Sequence, residues 1–130
     1  KELNDIFFNE LNLRKPDYLL DTRSKNIFEQ ISKILYECEK IILKEKPDRI
    51  LLLGDTNSAL TSMIAKRYSV KVFHMEAGNR CYDDRVPEEI NRRIIDHCSD
   101  ILLFIIMRSA NTIAVTASNT TGTLNAIQRS

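Results

Sequence analysis

The chain has 130 residues, of which 43% are hydrophobic and 28% charged, a composition typical of one globular domain and unlike a disordered or fibrous protein. Its 19 basic and 18 acidic residues leave a formal charge of +1. Since no long run of either sign occurs, we expect no nucleic-acid partner. No apolar run reaches the roughly 18 residues that span a bilayer, so we expect no membrane association.

The start of the chain and its cysteines bear on the cellular compartment. The sequence begins at Lys1 without an initiator Met or a basic and apolar leader, so we expect a cytoplasmic protein that is cut at its N-terminus. The three cysteines have no CxxC spacing. This spacing favours neither a disulfide framework nor a zinc site, and it suits a reducing compartment.

Helical periodicity is strongest in the first third of the chain. Residues 1–13 predict a short helix before the loop at Pro16, and residues 26–46 predict a longer one. Pro47 ends the longer helix because proline lacks the amide hydrogen and disfavours helix at the residue before it. The apolar stripe of this helix consists of Ile27, Phe28, Ile31, Ile34, Leu35, Cys38, Ile41 and Ile42.

Apolar runs at residues 50–53, 70–75 and 100–107 predict three strands. The first run does not alternate with polar residues, so we expect a central parallel strand that is covered on both faces. Helices and strands follow one another in turn, which predicts an α/β fold. Specifically, we expect a partial Rossmann-like parallel sheet with flanking helices.

Two further helices are predicted between these strands. One covers residues 58–68 and is capped by Thr56 or Asn57, and the other covers residues 88–98 after Pro87. The side chains expected to face inward on the second of these helices are Ile90, Ile94 and Cys98.

The composition changes after Arg108, where Ser, Thr, Asn and Ala predominate. We therefore divide the chain into a partial Rossmann-like domain at residues 1–107 and an atypical Ser/Thr/Asn-rich tail at residues 108–130.

Three acidic residues occupy positions where an α/β sheet binds ligands. Asp55 and Glu76 directly follow the first two strands, and Glu88 opens the next helix. Ligands of open parallel sheets bind outside the carboxyl ends of the strands, and the dipole of a helix favours a carboxylate at its N-terminus. Carboxylates gathered in this way suit the removal and return of a proton, so we predict that these three acids are catalytic.

Basic and amide side chains surround the acids in the sequence. The planar guanidinium of arginine matches the oxygens of a phosphate group, so a diphosphate could be held beside the acids. The predicted substrate-binding residues are Arg80, Arg85, Asn91 and Arg92.

Each acid also has a purely structural interpretation. Asp55 can cap the helix that follows it, and Glu76 can be the partner of a salt bridge. Glu88 and Glu89 can both be first-turn acids that interact favourably with the positive end of the helix dipole. Arg92, four residues after Glu88, can form an ion pair with it along the helix. No recognised ligand spacing connects the histidines and cysteines with these acids, so we expect no metal site.

Three sequence motifs together resemble one enzyme family. GDTNSAL at residues 54–60, HMEAGNR at 74–80 and PEEINRRIIDH at 87–97 resemble, in this order and spacing, the non-hydrolysing UDP-N-acetylglucosamine 2-epimerases. The resemblance extends from about residue 5 to residue 103. The sequence EAGNRCYDDRVPEEINR at residues 76–92 is more similar to the branch of this family that makes deoxy-aminosugars such as UDP-N-acetyl-L-fucosamine or quinovosamine.

The resemblance implies half of a two-domain, glycosyltransferase-B-like epimerase, with two Rossmann-like domains facing each other across a cleft. It implies that UDP is eliminated from a UDP-aminosugar and added back with C2 inverted, for surface polysaccharide synthesis, without a metal, nicotinamide or other cofactor. The family's essential acids fall on Asp55, Glu76 and Glu88, and the arginine of its EAGxR motif falls on Arg80. Family members of full length are expected to form homodimers.

The sequence departs from the family pattern in three places. The glycine-rich first strand and turn and the whole second domain are missing, and the pattern breaks at about Phe104. We therefore expect a fragment that is inactive alone and that aggregates or depends on a partner. The alternative is a non-catalytic nucleotide-binding remnant or interaction module. A flavodoxin-like phosphoacceptor at Asp55 would share the topology, but it leaves HMEAG and PEEINR unexplained.

Overall fold

A computed structural model describes residues 6, 8–109, 112–119 and 124–127. The elements, in chain order, are α1 (Ile27–Glu45), β1 (Arg49–Leu53), a 3₁₀ turn (Asn57–Leu60), α2 (Thr61–Arg67), β2 (Lys71–Met75), α3 (Pro87–Cys98), β3 (Ile101–Ser109), β4 (Thr112–Asn119) and β5 (Leu124–Ile127). The helix predicted over residues 1–13 lies partly outside the described residues, of which residues 6 and 8–10 are helical.

One five-stranded sheet has the order β1-β2-β3-β4-β5. Strands β1, β2 and β3 run parallel, with Leu52 opposite His74 and His74 opposite Leu102. This three-stranded parallel sheet with its flanking helices confirms the predicted α/β fold class. Strands β4 and β5 are antiparallel additions that pair with β3 and β4 respectively. The division of the chain at residue 107 stays a prediction.

Helix α1 begins and ends as its sequence predicts. The side chain of Asn26 accepts hydrogen bonds from the amides of Phe28 and Glu29, at 2.8 and 3.3 Å, and so satisfies donors that a helix start leaves free. Lys46 closes the helix in the left-handed conformation, and its amide donates to the carbonyl of Ile42. The structure finds no helix among the described residues that is long and apolar enough to cross a membrane.

The helix predicted over residues 58–68 differs in its first turn. Residues Asn57–Leu60 form a 3₁₀ turn, and the α-helix begins only at Thr61. Thr56 stands at the cap position without capping the turn, since its hydroxyl pairs with that of Ser58 at 2.7 Å. The hydroxyl of Thr56 therefore bonds a neighbouring side chain in place of a backbone amide of the turn.

Strand β1 is not the doubly covered central strand that was predicted. It lies at the edge of the described sheet, and Leu51 and Leu53 are each 63% exposed. Ile50 and Leu52 lie on the other face. Both pack against the core cluster that contains Ala65 and Val72, and Leu52 also packs against the cluster that contains Leu60 and Ile95. Because successive side chains of a strand point to opposite faces, helices on one face bury only alternate residues.

Helix α3 turns only part of its predicted inward face to the core: Ile94 packs against the core cluster as predicted, whereas Ile90 does not face inward. Ile90 is 47% exposed, while Ile95 is fully buried among Ala59, Leu60 and their neighbours. The buried side of the helix also carries polar groups, namely Glu89, Asn91 and Asp96. The prediction was wrong for Ile90 because it followed apolar residues alone, whereas these polar groups are buried by pairing with specific partners.

Candidate active site

Two turns lie side by side where β1 and β2 end. Gly54 follows β1 with φ +73°, and Glu76 follows β2 with φ +63°. The Gly54 amide donates to the carbonyl of Met75 at 3.1 Å, which extends the strand pairing into the turns. A Cβ atom on Gly54 would stand 3.5 Å from Oε2 of Glu76. The Glu76 carboxylate therefore lies against the turn that carries Asp55.

An ion pair joins the β1 turn to helix α3. Oδ2 of Asp55 accepts from Nε and Nη2 of Arg92 at 2.7 and 2.6 Å. The Asp55 side chain is 27% exposed and that of Arg92 19%. Asn91 Nδ2 donates to the carbonyl of Asp55 at 2.9 Å and to Oδ1 of Asn57 at 3.1 Å. Adjacent residues of α3 thus hold both the backbone and the side chain of Asp55.

The two glutamates that open α3 have different surroundings. Glu88 is exposed, and its side chain forms no hydrogen bond or ion pair with the described part of the chain. Glu89 is fully buried and accepts from the Cys81 amide at 2.9 Å, from Arg92 at 3.3 Å and from Arg93 at 3.0 Å. The Cys81 amide contributes most to lowering the pKa of Glu89 from 4.5 to about 2, so this acid is ionised at neutral pH.

A histidine and an aspartate form a buried pair next to these turns. His74 Nδ1 lies 2.6 Å from Oδ1 of Asp96, and its Nε2 donates to the carbonyl of Gly54 at 2.8 Å. The other oxygen of Asp96 accepts from the Gly78 amide at 3.1 Å and from Arg80 at 2.8 Å. Burial raises the pKa of Asp96, but hydrogen bonds from His74, Arg80 and Gly78 outweigh it and leave the pKa below its usual value.

The remaining basic residues predicted to bind substrate are engaged within the chain. Arg80 is 26% exposed in its side chain, and its guanidinium reaches Asp96 and the carbonyl of Asn79. Arg85 is 90% exposed in its side chain and pairs with Asp83 two residues before it, at 2.7 Å. The structure therefore brings Asp55 and Arg92 into contact and sets Glu76 beside their turn. It shows no contact of Arg85 with the three predicted acids among the described residues.

No cluster of three or more His, Cys, Asp or Glu side chains that could hold a metal occurs within the described ranges. The site consists instead of carboxylates and guanidinium groups at the carboxyl edge of a parallel sheet, where such folds bind ligands. A set of this kind can exchange protons through its exposed acids and hold a phosphorylated ligand through its arginines.

Comparison with known proteins identifies the family. A family model described as UDP-N-acetylglucosamine 2-epimerase matches residues 1–120. The chain belongs to the UDP-N-acetylglucosamine 2-epimerase family. A UDP-N-acetylglucosamine 2-epimerase of Methanococcus maripaludis is 44% identical to this family member over 114 residues, which are 87% of this chain and 31% of the relative. The resemblance seen in the three motifs is thereby confirmed at the level of the family.

Two further comparisons bear on the branch and the fold of this epimerase-family chain. A UDP-2,3-diacetamido-2,3-dideoxy-D-glucuronate 2-epimerase of Pseudomonas aeruginosa is 46% identical over 77% of the chain and 28% of its own length. A structure of the Methanocaldococcus jannaschii UDP-GlcNAc 2-epimerase with UDP-GlcNAc and UDP is 46% identical, with a TM-score of 0.75, over 78% of this chain and 28% of that one. The chain therefore spans about 30% of the relatives it matches.

Sequence reasoning did not identify Glu89 and Asp96 as members of the site. Both lie on the side of α3 that faces the sheet and the turns, seven residues or two helical turns apart. Acidic residues at this spacing, with Arg92 and Arg93 between them, form the same pattern as a solvent-exposed charged face, so nothing in the sequence signalled that this face is turned inward. The backbone amides of Cys81 and Gly78 bind Glu89 and Asp96 and allow them to be buried. Such amides cannot be recognised in the sequence, because nearly every residue has one.

Proposed function

We propose that this chain forms one wall of the substrate site of an enzyme that inverts C2 of a UDP-N-acetyl-aminosugar. The observation that carries the proposal is the ion pair of Asp55 and Arg92 at the carboxyl end of β1, beside the carboxylate of Glu76. Membership of the family supports the same reaction, because related structures contain UDP-GlcNAc.

The proposed reaction eliminates UDP and adds it back. A carboxylate takes the proton from C2, the C–H electron pair forms a C1–C2 double bond, and the C1–O bond breaks with its electrons leaving on UDP. Addition of UDP to C1 and protonation of C2 from the opposite face give the epimer. Both faces of the sugar ring must therefore meet a group that exchanges protons.

The described contacts suggest how the three acids divide this work. Glu76 and Glu88 are exposed and have no partner among the described residues, so their oxygens are available to a sugar, and we assign proton transfer to them. Oδ2 of Asp55 is already bound twice by Arg92. We assign Asp55 to orienting the sugar and to keeping this guanidinium in place.

The arginines and Asn91 are proposed to serve the diphosphate and its surroundings. Arg92 is partly exposed and fixed by two carboxylates, so it can contact a phosphate without losing its position. Arg85 is the most exposed of the predicted basic residues and can leave Asp83 for a phosphate at little cost, since exposed ion pairs are weak. Arg80 pairs with Asp96, and Asn91 donates to the Asp55 carbonyl. We propose that these two side chains contact the part of the substrate that lies nearest the Asp55 and Glu76 turns.

The substrate within this class is a finer proposal. The motif from Glu76 to Arg92 favours a deoxy-aminosugar such as UDP-N-acetyl-L-fucosamine or quinovosamine, destined for a surface polysaccharide. Relatives whose names give two different UDP-sugars match the chain at 44% and 46% identity. A panel of these UDP-sugars, compared by kcat/KM, separates the branches.

The whole reaction is proposed for a two-domain protein, and homodimer formation is proposed with it. The chain spans 31% of a relative that it matches over 87% of its own length. Cleft enzymes gain much of their rate by enclosing the substrate with preorganised groups from both sides, so we expect no measurable turnover from the 130-residue chain alone. Calorimetric titration with UDP and proton NMR of UDP-GlcNAc test binding and turnover separately.

A fusion enzyme tests the reaction itself. In it, this chain replaces the segment of the Methanocaldococcus jannaschii epimerase that it matches at 46% identity over 103 residues. We expect the fusion enzyme to epimerise UDP-GlcNAc. Glu76→Gln and Glu88→Gln should each lower kcat by about 10²- to 10⁴-fold, the usual contribution of a proton-transferring group.

Glu37→Gln is the matched control, because the side chain of this glutamate is 42% exposed and pairs with Lys40 on the same helix, α1. Its kcat should equal that of the unsubstituted fusion enzyme. Normal release of UDP by the Glu76→Gln variant would refute the assigned role. A fusion enzyme that binds UDP without any turnover would favour the alternative, a non-catalytic nucleotide-binding module.

A further inference from the structure

His74 and Asp96 connect the turn that carries Asp55 with the turn that carries Glu76. We propose that this buried pair is a positioning device that fixes the Asp55 turn and the Glu76 turn relative to each other, an inference that rests on the proposed function. Neither side chain is needed as an acid or base in this proposal. Both are inaccessible to a substrate, with His74 fully buried and Asp96 6% exposed.

The Asp55 turn is tied to β2 by two hydrogen bonds. The Gly54 amide donates to the carbonyl of Met75 at 3.1 Å, and the Gly54 carbonyl accepts from Nε2 of His74 at 2.8 Å. Both bonds of Gly54, the residue that directly precedes Asp55, thus go to the strand that leads into Glu76. A carbonyl can only accept, so Nε2 carries a hydrogen in this arrangement.

The Glu76 turn is tied to the same pair from the other side. The carboxylate of Asp96 holds Nδ1 of His74 with one oxygen and the amide of Gly78 with the other, at 2.6 and 3.1 Å. The Ala77 amide also donates to the carbonyl of Leu103 on β3 at 3.3 Å. Because the ring of His74 is held at both nitrogens, it cannot rotate without breaking its bond to the Gly54 carbonyl or its bond to Asp96.

Such a linkage matters because Glu76 has an unusual backbone. Its φ of +63° is in the left-handed region, which side chains other than glycine adopt at a cost. The bonds of Asp96 to Gly78 and His74 hold residues on both sides of Glu76. A displacement of about 1 Å can lower catalysis by about 10²-fold, so a device that fixes this turn has a direct effect on rate.

The test compares two substitutions at each member of the pair. Asp96→Ala removes every bond, whereas Asp96→Asn keeps the shape and allows the amide to bond both His74 and Gly78. His74→Gln can still reach the Gly54 carbonyl, and His74→Asn can still reach Asp96. Asp100→Ala is the matched control.

Asp100 is a suitable control because it resembles Asp96 in chemistry but not in place. Its carboxylate accepts from the Val72 amide and from Lys66, both at 2.8 Å. Its side chain is 21% exposed. It holds the amino end of β2, away from the turns at the carboxyl end.

In the fusion enzyme we expect Asp96→Ala to lower kcat by about 10²-fold and also to raise KM, because Asp96 holds the guanidinium of Arg80 as well. Asp96→Asn should restore kcat to within about tenfold. Asp100→Ala should leave kcat unchanged once the folded fraction has been measured. Equal losses of kcat in Asp96→Ala and Asp100→Ala would reduce the pair to general structural support and overturn the proposal.

A second measurement needs no catalysis and uses the 130-residue chain. The chain has three glycines, and two of them, Gly54 and Gly78, are the residues that the pair holds. In Asp96→Ala we expect the NMR signals of both amides to shift and their hydrogen exchange to accelerate together, whereas Asp100→Ala leaves them in place. A shift of Gly78 without Gly54 would show that the pair does not couple the turns. An inactive fusion enzyme with coupled glycine signals would instead refute the proposed function alone.

Discussion

Ile95→Ala tests how α3 is seated, since this helix carries Glu88 and Arg92. Ile95 is fully buried and packs against Ala59 and Leu60, so truncation leaves a cavity between α3 and the 3₁₀ turn. Truncations of this kind lower the free energy of unfolding by about 2–5 kcal/mol. We expect a loss of about 3 kcal/mol here. The residues around Ile95 belong to several helices and a strand, which cannot all move to fill the cavity.

Ile90→Ala on the same helix is the matched control. Ile90 is 47% exposed, so truncation removes roughly 1 kcal/mol of apolar burial, of which the better helix propensity of alanine returns about 0.5 kcal/mol. Urea unfolding followed by far-UV circular dichroism suits a chain without tryptophan. The two variants should differ by about 2.5 kcal/mol, or about 1 M in urea midpoint. Equal midpoints, or a larger loss in Ile90→Ala, would refute the observed orientation of α3.

Three further predictions concern acid stability, a turn and self-association. The pKa of Glu89 is lowered in the folded state to about 2, so its contribution to stability is present above its unfolded pKa of 4.5 and is lost as pH falls towards 2. The stability difference between the chain and Glu89→Gln should therefore shrink over that range in acid unfolding curves, and a constant difference would contradict it. Gly78→Ala should unfold at a lower temperature than Gly54→Ala, because both have positive φ but only at Gly78 would a Cβ collide with Phe104, at 2.1 Å. Leu53→Lys should reduce light scattering by concentrated chain, since Leu53 is 63% exposed on the open sheet face; unchanged scattering would show that this face does not drive association.

The amino-acid sequence was sufficient for the elements with strong local signals. The apolar periodicity of α1 and the proline after it locate that helix within a few residues, because each signal acts along a short stretch of chain. Apolar runs likewise located β1, β2 and the start of β3. The three motifs located the family, which the match over residues 1–120 confirms.

The roles of Asp55, Glu76 and Glu88 in catalysis, and of the arginines and Asn91 in binding, stay predictions. Their positions in the sequence follow from where strands end and helices begin, and that rule also placed Asp55 and Glu76 in neighbouring turns at one edge of the sheet. Their partners did not follow from it. Arg92 meets Asp55 across 37 residues of sequence and Asn91 meets the Asp55 carbonyl across 36, and separations of this kind leave no periodic trace.

By itself the sequence determined the α/β fold class, the helix and strand positions with strong local signals and the family, because periodicity, caps and motifs are read within a few residues of each other. Only the tertiary structure decided which glutamate of Glu88 and Glu89 is buried, which side of α3 faces inward, and that His74 and Asp96 join two turns. These outcomes depend on amides and carbonyls brought together by the fold, and every residue carries such groups. A charged side chain can be buried only where enough of these groups form hydrogen bonds with it in place of the water molecules that it loses.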